Sequence, residues 1–165
     1  MTLCKTITLD FQDEMANTRK MLERVPLDDA HRAFKPHPKS MEMAYLATHL
    51  AEIPGWIKMA LDSDLLRIDP ATYKPHTAGS TQELLEIFDK AIQEGTAAIE
   101  SATDEAMQKN WTFQWGDQFS MTDPRPKVVR SFLNHLVHHR AQLGVYLRLN
   151  GIAVPGMYGP SAVSN

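Results

Sequence analysis

The sequence predicts an all-α fold, a four-helix bundle with a short β-hairpin between its third and fourth helices. Three observations point there. Four separate segments carry apolar residues at helical period. The connections between them hold the Pro and Gly clusters. A lone alternating stretch near residue 111 is the single place where the period drops to two. The 165 residues, 43% of them hydrophobic, suit a single domain spanning 1–165. A chain of this length buries roughly 70% of its unfolded surface and needs no metal merely to fold.

The first helix is expected from Ile7 to about Val25, with Phe11, Met15, Thr18, Met21, Leu22 and Val25 inward and Pro26 ending it. Pro36-His37-Pro38 marks a loop. Ser40 is the expected N-cap of a second helix whose face reads Met43, Leu46, His49, Leu50, Ile53, Trp56, Ile57 and Ala60. Pro54 removes a donor to the Leu50 carbonyl, so a kink is expected one turn after His49. A connection over residues 68–79 follows. Ser80-Thr81-Gln82-Glu83 has the capping-box pattern and opens a third helix, about Thr81 to Ala102, with Leu84, Leu85, Ile87, Phe88, Ala91, Ile92 and Ile99 on its apolar face.

Trp111, Phe113 and Trp115, then Gly116-Asp117, Phe119 and Met121, read as a hairpin. A three-residue loop, 116–118, sets Trp115 opposite Phe119 and keeps both apolar sets on one face, which a two-residue loop would not. Asp123 and Pro124 are the expected cap and first residue of the last helix, and Gly151 its stop. At 1.5 Å per residue its roughly 26 residues span about 40 Å, long enough to bundle. The tail from Ile152 to Asn165 should be irregular.

Composition narrows the functional classes. Seventeen basic and twenty acidic residues leave a net charge of −3, interspersed along the chain, which argues against nucleic acid or an anionic membrane as partner. One cysteine, Cys4, closes no internal disulfide and reads as a small inert side chain. No secretory leader or transmembrane run is visible, so a cytoplasmic location is expected. The oddity is seven His against one Cys.

His135 and His139 stand at i and i+4, one turn apart, where both imidazoles can reach one ion. They share a face with Phe132, Leu136, Leu143 and Tyr146, which turns them inward. His49 sits in an apolar stripe where leucine would satisfy the pattern. Three interior imidazoles on two helices can make a three-nitrogen site with open positions for water or substrate. His138 lies about 100° round the helix and should face out or onto a neighbour; His31, His37 and His76 fall in loops. Glu52 could serve as a base or an outer-shell acceptor, though a solvated edge residue is the plainer reading, and Tyr146 could line a pocket, though a bonded core tyrosine is plainer. Asn134 and Arg140 could meet an anionic substrate or a second subunit, or Arg140 be a surface charge. Met15, Met21, Met43 and Met59 read as core filling.

Taken together, Ala47-Thr48-His49-Leu50-Ala51-Glu52-Ile53-Pro54-Gly55-Trp56, Asn134-His135-Leu136-Val137-His138-His139-Arg140-Ala141-Gln142-Leu143, Lys35-Pro36-His37-Pro38-Lys39-Ser40-Met41 and the closing Tyr146-Leu147-Arg148-Leu149-Asn150-Gly151 resemble the DinB superfamily, also grouped with YfiT-like metal-dependent hydrolases. The resemblance spans nearly the whole chain. It implies a four-helix bundle, a divalent ion on His49, His135 and His139, with Zn²⁺ or Ni²⁺ suited to the site, and often a homodimer. Some relatives are thiol-dependent transferases or isomerases using mycothiol, bacillithiol or glutathione. The expectation is therefore a metal-dependent thiol transferase or hydrolase acting on a small molecule. Two alternatives are a non-catalytic metal- or small-molecule-binding stress protein and a bundle whose His are core hydrogen-bonders.

Overall fold

The computed structural model describes residues 3–162. The order is α1 (Leu3–Leu22), α2 (Met43–Asp62), β1 (Leu65–Ile68), α3 (Thr81–Ser101), α4 (Asp104–Met107), β2 (Asn110–Trp115), β3 (Phe119–Pro124) and α5 (Arg125–Leu149). The fold is mostly helical with one small three-stranded sheet, ordered β1-β2-β3. The apolar faces of α1, α2, α3 and α5 meet in one cluster that includes Phe11, Leu50, Ile57, Phe88, Ile99, Leu136 and Leu143. Helix α2 packs mainly on α3 and α5, so its residues are the ones placed between two neighbours.

Several boundaries differ from expectation for identifiable reasons. Helix α1 is continuous back to Leu3 and ends at Leu22; Arg24 and Val25 close it with tight turns, their amides donating to the Met21 and Leu22 carbonyls at 3.1 Å. Ser40 does not cap α2. Its N-cap is Glu42, without a side-chain bond, and the Met43 and Ala44 amides donate instead to the Phe34 and Arg32 carbonyls of the preceding loop. Ser80 does cap α3, accepting from the Glu83 amide at 3.1 Å. The Glu83 carboxylate turns back one residue further than a capping box requires, to the Gly79 amide at 2.8 Å. Asp123 and Pro124 are not the start of α5 but the end of β3, opposite Trp111 and Asn110. Pairing with β2 holds them extended, so α5 begins at Arg125.

Strands β2 and β3 run antiparallel with Trp115 opposite Phe119, the register that a three-residue connection gives. The sheet has a strand that the sequence reading lacked. Strand β1 lies parallel to β2, Leu65 against Thr112 and Ile68 against Trp115. Only four residues long, and interrupted by Arg67, it leaves no clear alternation in sequence. Arg67 secures it by donating from Nε to Gln114 Oε1 at 2.8 Å. The short α4, capped by Thr103 on the Ala106 amide, was likewise not foreseen.

Helix α3 comes close to α2 at Gly95. A Cβ there would stand 2.5 Å from the Pro54 carbonyl oxygen and 3.1 Å from the Phe11 ring. Gly95 thus lies against the Pro54 carbonyl of α2. Gly95→Ala should lower stability by about 1–3 kcal/mol despite alanine's better helix propensity, because backbone must move. Gly55→Ala meets only ordinary contacts, the nearest Ala91 Cβ at 3.6 Å, and should be neutral or stabilising. Thermal unfolding of the two variants side by side separates close approach from propensity.

Candidate metal centre

From Met43 to Ile57 every residue of α2 is buried except Tyr45, His49, Glu52 and Trp56. Their spacing, i, i+4, i+7 and i+11, places them on one narrow stripe of the helix. His49 therefore opens onto the side of α2 that faces the α5 histidines. His49 Nε2 lies 3.0 Å from His135 Nε2, and His135 Nε2 lies 3.1 Å from His139 Nε2. One donor atom from each residue falls within 4.8 Å of the others. His139 is buried, while His49 and His135 keep part of their surface in water.

The rings are held by their surroundings. Trp56 packs its edge on His49 at 5.1 Å and lies 5.6 Å from His135, and Phe132 backs Trp56 at 5.7 Å. Tyr45 stands at 6.2 Å on the other side of His49. Phe132 also meets Trp111 at 5.9 Å, so the sheet buttresses this wall through the buried Trp111. Phe113 stacks on Trp111 at 6.2 Å. Gln142, one turn beyond His139, lies with Oε1 2.7 Å from His139 Nδ1. An Nδ1–H donating there leaves His139 Nε2 with its lone pair toward the other rings. No sequence argument assigned Gln142 a role; its i+3 spacing from His139 was the available signal.

Burial, then the charges of its two neighbours, His139 ahead of His135, pushes His49 down to about 4. Burial does the same to His135, with His139 and His138 adding to it, also to about 4. His139 is lowered too, chiefly by burial, against a raising contribution from Gln142. All three are neutral at pH 7, the protonation state that binds a cation. One proton would have to serve both Nε2 contacts of His135, or lone pairs would face each other; a cation among the three nitrogens removes that conflict. Because the folded-state values lie below that of an unfolded histidine, the unfolded chain takes up more protons on acidification. Chelated protein should keep this contribution above about pH 6.5 and lose it as pH falls toward 4, on the order of 2 kcal/mol in all since two of the rings keep partial solvent contact. Urea unfolding of chelated protein across that range measures the slope.

The remaining candidates divide cleanly. His138 is exposed against His139, and His31, His37 and His76 lie outside the cluster, His31 on Asp28 and His76 on Glu83. Tyr146 is buried, its hydroxyl donating to the Met41 carbonyl at 3.1 Å and its ring edge on Phe34. Arg140 is not a surface charge. Only 2% exposed, it pairs with Glu14 Oε2 at 2.6 Å and donates to Thr18 Oγ1 at 3.0 Å. Asn134 instead lines a groove between α1 and α5 with Asp13, Asn17 and Arg130. Cys4 Sγ faces the Ala102 carbonyl, and burial raises its pKa. Met15, Met21 and Met43 are core residues, but Met59 is 42% exposed, two residues beyond the buried stretch that ends at Ile57.

The fold and site define a helical protein with three histidines converging from two helices. The chain belongs to the DinB family, whose model matches residues 2–164. Its fold is similar to that of a DinB-like protein from Bacillus cereus ATCC 10987, with TM-score 0.73, 21% identity, and 93% of this chain and 97% of that one covered. A DinB-like protein from Bacillus subtilis aligns at TM-score 0.66 and 17% identity over 94% and 96%. A DinB-family protein from Exiguobacterium sibiricum 255-15 aligns at TM-score 0.66 and 16% identity over 99% and 97%. Comparison with curated proteins returned no match. No helix of the described residues is long and apolar enough to cross a membrane.

Proposed function

We propose that His49, His135 and His139 hold one divalent cation, Zn²⁺ or Ni²⁺, and that the protein is an enzyme activating a thiol or water beside it. The observation that carries the reading is the convergence of three neutral Nε2 atoms. The 3.0 and 3.1 Å spacings between these nitrogens bring the three donors close enough to share one ion. The ion would supply Lewis acidity, lowering the pKa of a water or of a low-molecular-weight thiol. Since no carboxylate joins the three rings among the described residues, no anionic ligand would offset its charge on that group. Gln142 fixes the His139 tautomer, Trp56 and Tyr45 fix His49, and the partial exposure of His49 and His135 leaves a path for a small molecule.

The scaffold is read as a single-domain four-helix bundle of α1, α2, α3 and α5 carrying a β2–β3 hairpin, acting as a cytoplasmic homodimer with neither nucleic acid nor membrane as partner. To test the activity, protein loaded with Zn²⁺ or Ni²⁺ is offered mycothiol, bacillithiol or glutathione together with an activated aryl halide, and separately activated esters and amides. Thiol consumption or hydrolysis that both chelation and His135→Ala abolish is expected. Stoichiometric metal without turnover in any arm would make the protein a binder rather than an enzyme.

A further inference from the structure

A groove of about 560 Å³ lies between α1 and α5, within the size range of small-ligand sites, and none of the three clustered histidines lines it. Arg130 reaches Asp10 at 3.1 Å and, ten residues on, Arg140 reaches Glu14 at 2.6 Å, so the two helices run in the same direction along it. Leu133, 6% exposed, supplies apolar surface together with Val137 and Met157. The tail is fixed against the groove by Tyr158, whose hydroxyl donates to Glu14 Oε1 at 2.8 Å. Asp10 and Glu14 are thus each taken by an arginine. The charges left in the lining are Asp13 and Lys20, and no hydrogen bond or ion pair engages either of them, or Asn17 or Asn134, among the described residues.

Asp13, Asn17 and Lys20 follow at i, i+4 and i+7, on one stripe of α1. Seven residues of helix set the carboxylate and the ammonium about 10 Å apart along the axis, with the asparagine between them. Asn134 adds a second amide from α5. Each asparagine offers N–H donors and a carbonyl acceptor, the complement of a peptide group. An extended peptide advances about 3.4 Å per residue, so three residues carry a charged amine and a charged carboxylate across this span. A ligand with one charge would leave Asp13 or Lys20 unmet. We propose that the α1–α5 groove binds a short peptide with free termini, its ammonium at Asp13, its carboxylate at Lys20 and an apolar side chain on Leu133 and Val137. The site is independent of the metal reading, since the two share no residue.

The test is calorimetric titration of the full chain, as purified, with alanyl-leucyl-alanine, its N-acetyl form and its C-terminal amide near neutral pH. The free tripeptide should give saturable heat, and blocking either end should weaken binding at least about tenfold, as expected for loss of a charge-assisted hydrogen bond. Asp13→Asn should bind the free and acetylated peptides alike while still rejecting the amide, and Lys20→Gln should do the reverse. Both side chains are exposed, so the variants should fold, which circular dichroism verifies. No saturable heat with the free tripeptide, equal binding of free and blocked peptides, or an unchanged preference in either variant overturns the inference. A groove covered by a second copy of the chain would give the first of these results.

Discussion

His135→Ala should reduce divalent-metal affinity at least about 100-fold, more than loss of a residue that merely orients a ligand. Its effect should exceed that of either neighbour. His135 Nε2 is the atom that both other rings approach, at 3.0 Å from His49 and 3.1 Å from His139. Removing it leaves two ligands, His49 and His139, whose rings stand 4.9 Å apart on different helices. The variant should fold, because the vacated position is only half-buried and the apolar cluster around Leu136 and Leu143 is untouched. Competition with a chromogenic chelator, on protein purified without a histidine tag, gives the affinity. Gln142→Leu should lie between wild type and His135→Ala, near a tenfold loss, since it removes only the acceptor that orients His139.

Arg125→Ala should be the most destabilising single change outside the apolar core. The side chain is 4% exposed. Its Nε donates to the Ala60 carbonyl at 2.8 Å, Nη1 to Ala106 at 2.9 Å, and Nη2 to the Ser63 carbonyl and Asp64 Oδ1, both at 2.9 Å. One guanidinium thus ties the end of α2, the approach to β1 and the short α4 to the first turn of α5. Truncation strands three carbonyls and opens a cavity, for a loss of about 3–5 kcal/mol. For a chain of this size that corresponds to a fall in Tm of roughly 6–20 °C. The Lys58–Asp62 pair, exposed on α2, provides the contrast: Lys58→Ala should leave stability essentially unchanged.

How much of this was legible in the sequence follows from where each signal resides. The His cluster was, because helical periodicity alone turns His49 into the stripe and sets His135 and His139 one turn apart. The helices were too, since their apolar faces are long enough to average out single exceptions such as Met59. What stayed hidden depends on contacts between segments distant in sequence. Strand β1 is defined by its parallel pairing with β2 across 47 positions, Leu65 to Thr112, and four residues cannot announce that. Arg140 looks like a surface charge until Glu14, 126 residues away, is brought against it. Arg125 follows a Pro and reads as an ordinary first-turn residue, although it organises three segments. The start of α5 was misplaced because Asp123-Pro124 suits a helix cap locally, while pairing with β2 uses the same backbone.

The most direct test of the central claim is X-ray absorption at the metal edge on protein reconstituted with one equivalent of Zn²⁺ or Ni²⁺. Three imidazole nitrogens at about 2.0–2.1 Å, with the remaining shell oxygen and no sulfur from the protein, are expected. A shell dominated by carboxylate oxygen, or containing the Cys4 sulfur, would contradict the assignment of His49, His135 and His139 as the metal centre.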